Sequence, residues 1–209
     1  MRSTSRQQRR PRADGIRARE AILRAAADLA SIEGLEGITI GKLAQRLQMS
    51  KSGVITHFGS KEELQLATID AAQAIYVAEI VQPALGVPPG LGRVRALVDG
   101  FLSYSERHVF PGGCFFGTTI VEQAARPGPI RERLARAHVD WIGMLRLFLD
   151  QARDQGELGV DIDTNRFAFE MAALLTSADW SSTLHDEPSY LELARQAITE
   201  LLDSITSAS

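Results

Sequence analysis

Between residues 39 and 61 the sequence sets hydroxyls, cations and one imidazole at short intervals: Thr39, Lys42, Ser50, Lys51, Ser52, Thr56, His57, Ser60 and Lys61. Hydroxyls and cations bind phosphate oxygens, as do the unpaired N–H groups at helix starts. The first fifteen residues carry five arginines, Arg2, Arg6, Arg9, Arg10 and Arg12. Residues 1 to 61 hold 12 Lys and Arg against 5 Asp and Glu, whereas residues 62 to 209 hold 11 against 21. A head of +7 is thus joined to a body of −10. The pattern suggests a basic module that binds a polyanion, carried on an acidic body with another task.

Catalytic and metal chemistry find little support in the same 209 residues. The sequence has no G-x-S-x-G elbow, no G-x-x-x-x-G-K-[ST] loop and no G-x-G-x-x-G turn. One Cys and four scattered His, none at i, i+4 spacing, give no ordinary zinc site, so neither an enzyme nor a bound metal or cofactor is expected. The single cysteine, Cys114, excludes an internal disulfide and reads as a small buried residue. The N-terminus MRSTSRQQRRPRADG lacks an apolar leader, and no apolar run approaches the roughly 18 to 20 residues of a membrane span. A cytoplasmic protein is expected.

The elements that must position these groups are all helical. Residues 1–15 are too polar to fold alone and read as a flexible basic arm. Ile22, Leu23, Ala26, Leu29 and Ala30 recur at helical spacing up to Gly34, which supplies a left-handed stop. Thr39 caps a second helix with the stripe Ile40, Leu43, Ala44 and Leu47, and Ser50 caps a very short third one, Lys51 to about His57. Ser60 and Glu63 form a capping box opening a longer helix that runs toward Gln82 and breaks at Pro83. Four more follow, around Val94–Ser105, after the Pro111–Gly113 turn, from Pro129 with the face Ile130, Leu134, His138, Trp141, Leu145 and Phe148, and from about Thr164. A last helix ends near Ile205.

Three short helices within about fifty residues, the third beginning at a polar cap, describe a helix-turn-helix whose third helix enters the major groove. Ser50, Lys51, Ser52, Ile55 and Thr56 are then the base readers. The segments Ile38-Thr-Ile-Gly-Lys-Leu-Ala44 and Met49-Ser-Lys-Ser-Gly-Val-Ile-Thr-His-Phe-Gly-Ser-Lys-Glu-Glu-Leu64 resemble the DNA-binding signature of TetR-type (TetR/AcrR-like) transcriptional regulators, over roughly residues 16 to 66. The resemblance implies a homodimer on a pseudo-palindromic DNA operator and a variable C-terminal domain sensing a small molecule. Carried over position by position, it makes His57 and Lys61 phosphate contacts and sets Thr39 and Lys42 at the backbone. Ile55 and Gly53 stand where the family usually has Tyr and Thr. One phosphate-contacting hydroxyl is therefore missing, and Ile55 offers an apolar surface to a thymine methyl instead.

The expected organisation is an all-α chain with a basic arm (1–15), a helix-turn-helix DNA-binding domain (16–62) and a helical ligand-sensing and dimerisation domain (63–209). Large rings concentrate in the body, so an apolar pocket is expected there, lined by Phe101, Tyr104, His108, Cys114, Phe115, His138, Trp141 and Phe148. The last two helices carry apolar residues on more than one face. Met171, Leu175, Ala194, Ile198 and Leu201 are accordingly expected at a dimer interface built as a four-helix bundle. The expected function is a transcriptional regulator, a repressor, released by a small mostly apolar effector. A DNA-binding dimer controlled by a protein partner is the alternative.

Overall fold

The computed structural model describes residues 9–206, with side chains described from Asp14 to Thr206. Ten helices follow in order among these residues: α1 (Arg9–Glu33), α2 (Ile40–Arg46), α3 (Lys51–Ile55), α4 (Lys61–Tyr76), α5 (Gln82–Leu85), α6 (Leu91–Glu106), α7 (Phe115–Gln123), α8 (Pro129–Asp154), α9 (Thr164–His185) and α10 (Ser189–Asp203). A π turn, Val77–Val81, joins α4 to α5. The one β contact among the described residues is an isolated bridge, Leu158 to Thr206.

The helix starts obey local chemistry. Thr39 Oγ1 accepts from the Lys42 N–H at 3.2 Å, Ser50 Oγ from the Gly53 N–H at 3.0 Å and Ser60 Oγ from the Glu63 N–H at 3.0 Å. Glu63 completes the box by reaching back to the Gly59 N–H at 2.8 Å, one residue beyond the cap. Gly34 ends α1 at φ 75°, as expected for a left-handed stop. Gln48, at φ 53°, takes the same conformation after α2, and the Met49 N–H bonds to the Ala44 carbonyl at 2.9 Å, closing the tight turn between α2 and α3.

Two boundaries depart from expectation. The basic arm was expected to end at residue 15, but α1 begins at Arg9, while residues 1–8 of the arm lie outside the described residues. Pro11 falls in the first helical turn, where its missing N–H has no intrahelical partner to lose, so it starts the helix rather than blocking it. Pro83 likewise does not break the long helix. The π turn resets the hydrogen-bond register just before it, and Pro83 then sits in the first turn of α5. The stretch Lys61–Leu85 that results is 25 residues long and contains an 18-residue window of mean hydropathy 1.2, enough by length and composition for a membrane span although Glu and Asp interrupt it. Its apolar side chains Leu64, Ile69, Ala72, Tyr76, Ile80 and Ala84 are buried in this chain's own core.

The core is continuous from head to body. Ile22, Ala26 and Ala30 of α1 pack with Leu43, Val54 and Leu64, and α1 also packs against α4 and α7. In the body, α8 packs against α4, α6, α7 and α9, and α10 lies on α9 and α6. This packing corrects the expected dimer residues. Met171, Leu175, Ala194 and Ile198 are buried within one chain, because α9 and α10 have neighbours on several sides and the extra apolar faces serve those contacts. Leu201 alone of the five stays partly exposed. The apolar residues left open on these helices are Phe169, Trp180, Leu184 and Leu193.

Candidate functional site

The polar set of the head gathers around α2 and α3. Thr39, Lys42, Ser50, Lys51, Ser52, Ile55, Thr56 and Lys61 are exposed and His57 is half-buried, whereas Val54 and Phe58 of the same short segment are buried. One side of α3 therefore anchors the helix while the other carries the groups suited to base edges. Ile55 is 53% exposed, left uncovered by the described residues. Ser50 and Ser52 hydroxyls lie 3.0 Å apart, and Thr56 Oγ1 donates to the Ser52 carbonyl at 2.7 Å, so these hydroxyls are held in place.

Two of the three lysines are already engaged. Lys42 pairs with Glu33, and Lys61 Nζ donates to the Glu36 carboxylate at 2.8 Å and to the Glu36 carbonyl at 3.1 Å. Lys61 holds the Glu36 carboxyl below the usual carboxylate range, chiefly through that hydrogen bond. Both pairs are exposed, so phosphate oxygens can exchange with the carboxylates at small cost.

A second site lies in the body, a cavity of about 710 Å³ between α4, the π turn, α6, α7, α8 and α9. Its size and apolar lining suit an organic molecule. Of the residues expected there, Phe101, Cys114, His138 and Trp141 line it. Tyr104, Phe115 and Phe148 do not, because each is nearly fully buried on the core side of its helix: Tyr104 packs on Phe110, Phe115 on Phe110, and Phe148 under the Arg93 guanidinium. His108 is exposed in the turn after α6, at φ 47°.

Two further elements, beyond those that carry the residues expected to line the cavity, complete its wall. Tyr76, Val77 and Val81 come from the helix and π turn that begin at the DNA-binding head, and Asp179 and Trp180 come from α9. The Tyr76 ring meets Trp141 edge-on at 5.3 Å and Phe116 at 5.6 Å, and Trp141 stacks on Phe101 at 5.8 Å. Asp179 Oδ1 accepts from the Ser105 hydroxyl at 2.7 Å and Oδ2 from the Cys114 N–H at 3.1 Å. Burial pushes the Asp179 carboxyl up, against the lowering effect of those two bonds. Burial, with the charge of Asp179, pushes the Cys114 thiol up to about 12.

Head and cavity are mechanically joined at α7. The Glu122 carboxylate near its end accepts from the Leu35 and Glu36 N–H groups at 2.7 and 3.0 Å. Ahead of α7, the Gly112 N–H donates to Ser31 Oγ at 3.0 Å, and a Cβ at Gly112 would lie 2.2 Å from the Ser31 carbonyl oxygen. Among the described residues no group of three or more His, Cys, Asp or Glu is placed to hold a metal.

A basic helix-turn-helix head fused to a helical body with one large apolar cavity defines a DNA-binding transcriptional regulator. Two family models cover most of the chain: residues 22–68 match the bacterial regulatory proteins of the tetR family, and residues 90–198 match the tetracyclin repressor-like C-terminal domain. The chain belongs to the TetR family of transcriptional regulators, and it is not an enzyme. A TetR transcriptional regulator from Chloroflexus aurantiacus superposes with TM-score 0.87 at 25% identity, covering 94% of this chain and 100% of that one. TetR-family regulators from Cytophaga hutchinsonii (TM-score 0.81, 18% identity, 94% and 98% covered) and Agrobacterium tumefaciens (0.81, 16%, 92% and 100%) share the fold. No curated protein sequence matches this chain.

Proposed function

We propose that the protein is a ligand-responsive repressor acting in the cytoplasm, a homodimer that binds a pseudo-palindromic operator and leaves it when a small, mostly apolar effector occupies the cavity. The observation that carries this reading is one continuous helical stretch with a job at each end. Its first residue, Lys61, stands beside the polar set of the head, and its later turns, through Gln73, Tyr76, Val77 and Val81, form a wall of the cavity. An effector that fits one position of that wall better than the other biases the head, and equal affinity for both would bias nothing.

In this reading Thr39, Lys42, His57 and Lys61 contact phosphate, and Ser50, Lys51, Ser52, Ile55 and Thr56 meet base edges. The head has a single helix-turn-helix, so a two-fold site requires two chains. The test is selection of bound fragments from genomic DNA followed by footprinting. Two protected half-sites about one helical turn apart, lost on adding a compound that raises the melting temperature, are expected. A single unsymmetric footprint would overturn the dimeric reading, and a thermally stabilising compound that left every footprint unchanged would overturn the ligand-responsive one.

A further inference from the structure

We propose that the cavity takes a lipophilic cation, with the Asp179 carboxylate as its counter-ion and the rings of Tyr76, Phe101, Phe116, Trp141 and Trp180 as its walls. The proposal rests on the ligand-responsive reading above and names the chemistry of the ligand.

The charge of the lining points one way. Two carboxylates, Asp140 and Asp179, and one imidazole, His138, face the cavity, and among the described lining residues there is no Lys or Arg. An acidic effector would meet two negative groups and no fixed cation. A neutral apolar effector would close the cavity over Asp179 and remove what solvent still reaches it. Asp179 is 3% exposed and accepts only from a hydroxyl and a backbone N–H, with no ion pair among the described residues. Those two donors orient the carboxylate but do not neutralise it, and a buried unpaired charge is costly. A cationic ligand supplies the missing partner.

The rings supply the rest. A cation is attracted to the faces of Trp, Tyr and Phe, and the attraction grows when water is excluded. The cluster Tyr76, Phe101, Phe116 and Trp141 is tied by edge and stacking contacts of 5.3 to 5.8 Å among its members, so it holds its shape without a ligand. Trp180 adds a half-exposed ring at the mouth. A delocalised or alkylated nitrogen or phosphorus cation with aromatic or alkyl substituents fits this combination of one carboxylate and several rings. A compact, strongly hydrated cation does not, because the apolar lining returns too little for its hydration shell.

The experiment uses three probes of similar shape and different charge: tetraphenylphosphonium, tetraphenylborate and triphenylphosphine oxide. Both tryptophans of the chain, Trp141 and Trp180, line the cavity, so intrinsic fluorescence reports occupancy. The phosphonium is expected to quench it and bind about tenfold or more tightly than the neutral oxide, with no binding of the borate. In Asp179→Asn, checked for folding by its thermal melt, the preference for the cation is expected to collapse. Binding of the borate or the oxide as tightly as the phosphonium would overturn the cation proposal, as would binding of none of the three. Operator release by the neutral probe alone would then leave the ligand-responsive reading standing. Cation binding that never altered operator affinity would support the proposal and remove the reading beneath it. The three probes on the unaltered chain keep the test decisive if the variant does not fold.

Discussion

Lys61 and Glu36 hold each other at 2.8 Å, and in the proposed reading Glu36 competes with the phosphate that Lys61 would contact. Removing the cation and removing its competitor should act in opposite directions. Lys61→Ala should weaken binding to operator and to random DNA alike and lower the salt slope by about one, whereas Glu36→Gln should strengthen both by freeing the lysine. Titration of fluorescent duplexes at several salt concentrations checks the pair. The Glu36 carboxyl sits below its ordinary range, so the pair is intact above the unfolded-state value and is lost only as pH falls through the lower folded value. Mild acid should not free Lys61. Cys114 gives a second residue-level expectation: with its thiol pushed up to about 12, it should resist iodoacetamide at pH 8 in the native protein and react promptly in denaturant. Rapid native labelling would overturn the buried reading of this thiol. Sequence reading handled caps such as Thr39, Ser50 and Ser60 well because each depends on a residue three positions away. It failed for Phe115 against Phe116, neighbours on α7, because which of two adjacent rings faces a cavity is settled by helices far off in the chain.

Two elements join the cavity to the head, and only one was visible in the sequence. The long helix from Lys61 was recognisable from its capping box. The π turn within it was not, since Val77–Val81 has no compositional mark beyond the proline two residues later. The second link, α7, was hidden entirely, because Glu122 reaches across 87 positions to the Leu35 N–H. Its other side lies on the cavity through Phe116, Gly117 and Ile120. A shift of α7 on ligand binding would therefore pull on the turn that precedes α2. Glu122→Ala should preserve ligand binding, read by tryptophan fluorescence, while reducing the ligand's effect on operator affinity toward none. A variant that released the operator as fully as the unaltered protein would assign the coupling to the long helix alone. Gly112→Ala bears on the same joint from the other end, since its Cβ would meet Ser31 backbone, and a backbone contact cannot rotate away.

At the scale of the whole molecule, the proposed dimer requires two copies to place their basic heads on one face of DNA while their acidic bodies stay off it. The surplus apolar content of α9 and α10 was correctly read as more than a surface helix needs, but its assignment was inverted. The inner residues Met171, Leu175, Ala194 and Ile198 build the protomer, and the proposed dimer would use the outer ones. On α10, Leu193, Ala197 and Leu201 follow at i, i+4 and i+8 on one face, and α9 exposes Phe169 and Leu184 to 66% and 79%. An open set of large apolar side chains on two packed helices is what a helical dimer interface requires. The two classes of residue can be separated experimentally. Met171→Ala opens a cavity inside one chain and should cost about 2 to 5 kcal/mol of stability, lowering the melting temperature with little change in dimer dissociation among folded molecules. Leu193→Glu leaves the protomer core untouched and forces a charge into the shared surface, so it should weaken the dimer about tenfold or more at an almost unchanged monomer fold. Operator affinity should fall with the dimer, because one helix-turn-helix covers too few base pairs to hold the site alone. Sedimentation over a range of concentrations separates the outcomes: an unperturbed Leu193→Glu dimer would move the interface off α10, and a monomeric unaltered protein at micromolar concentration would remove the dimer altogether.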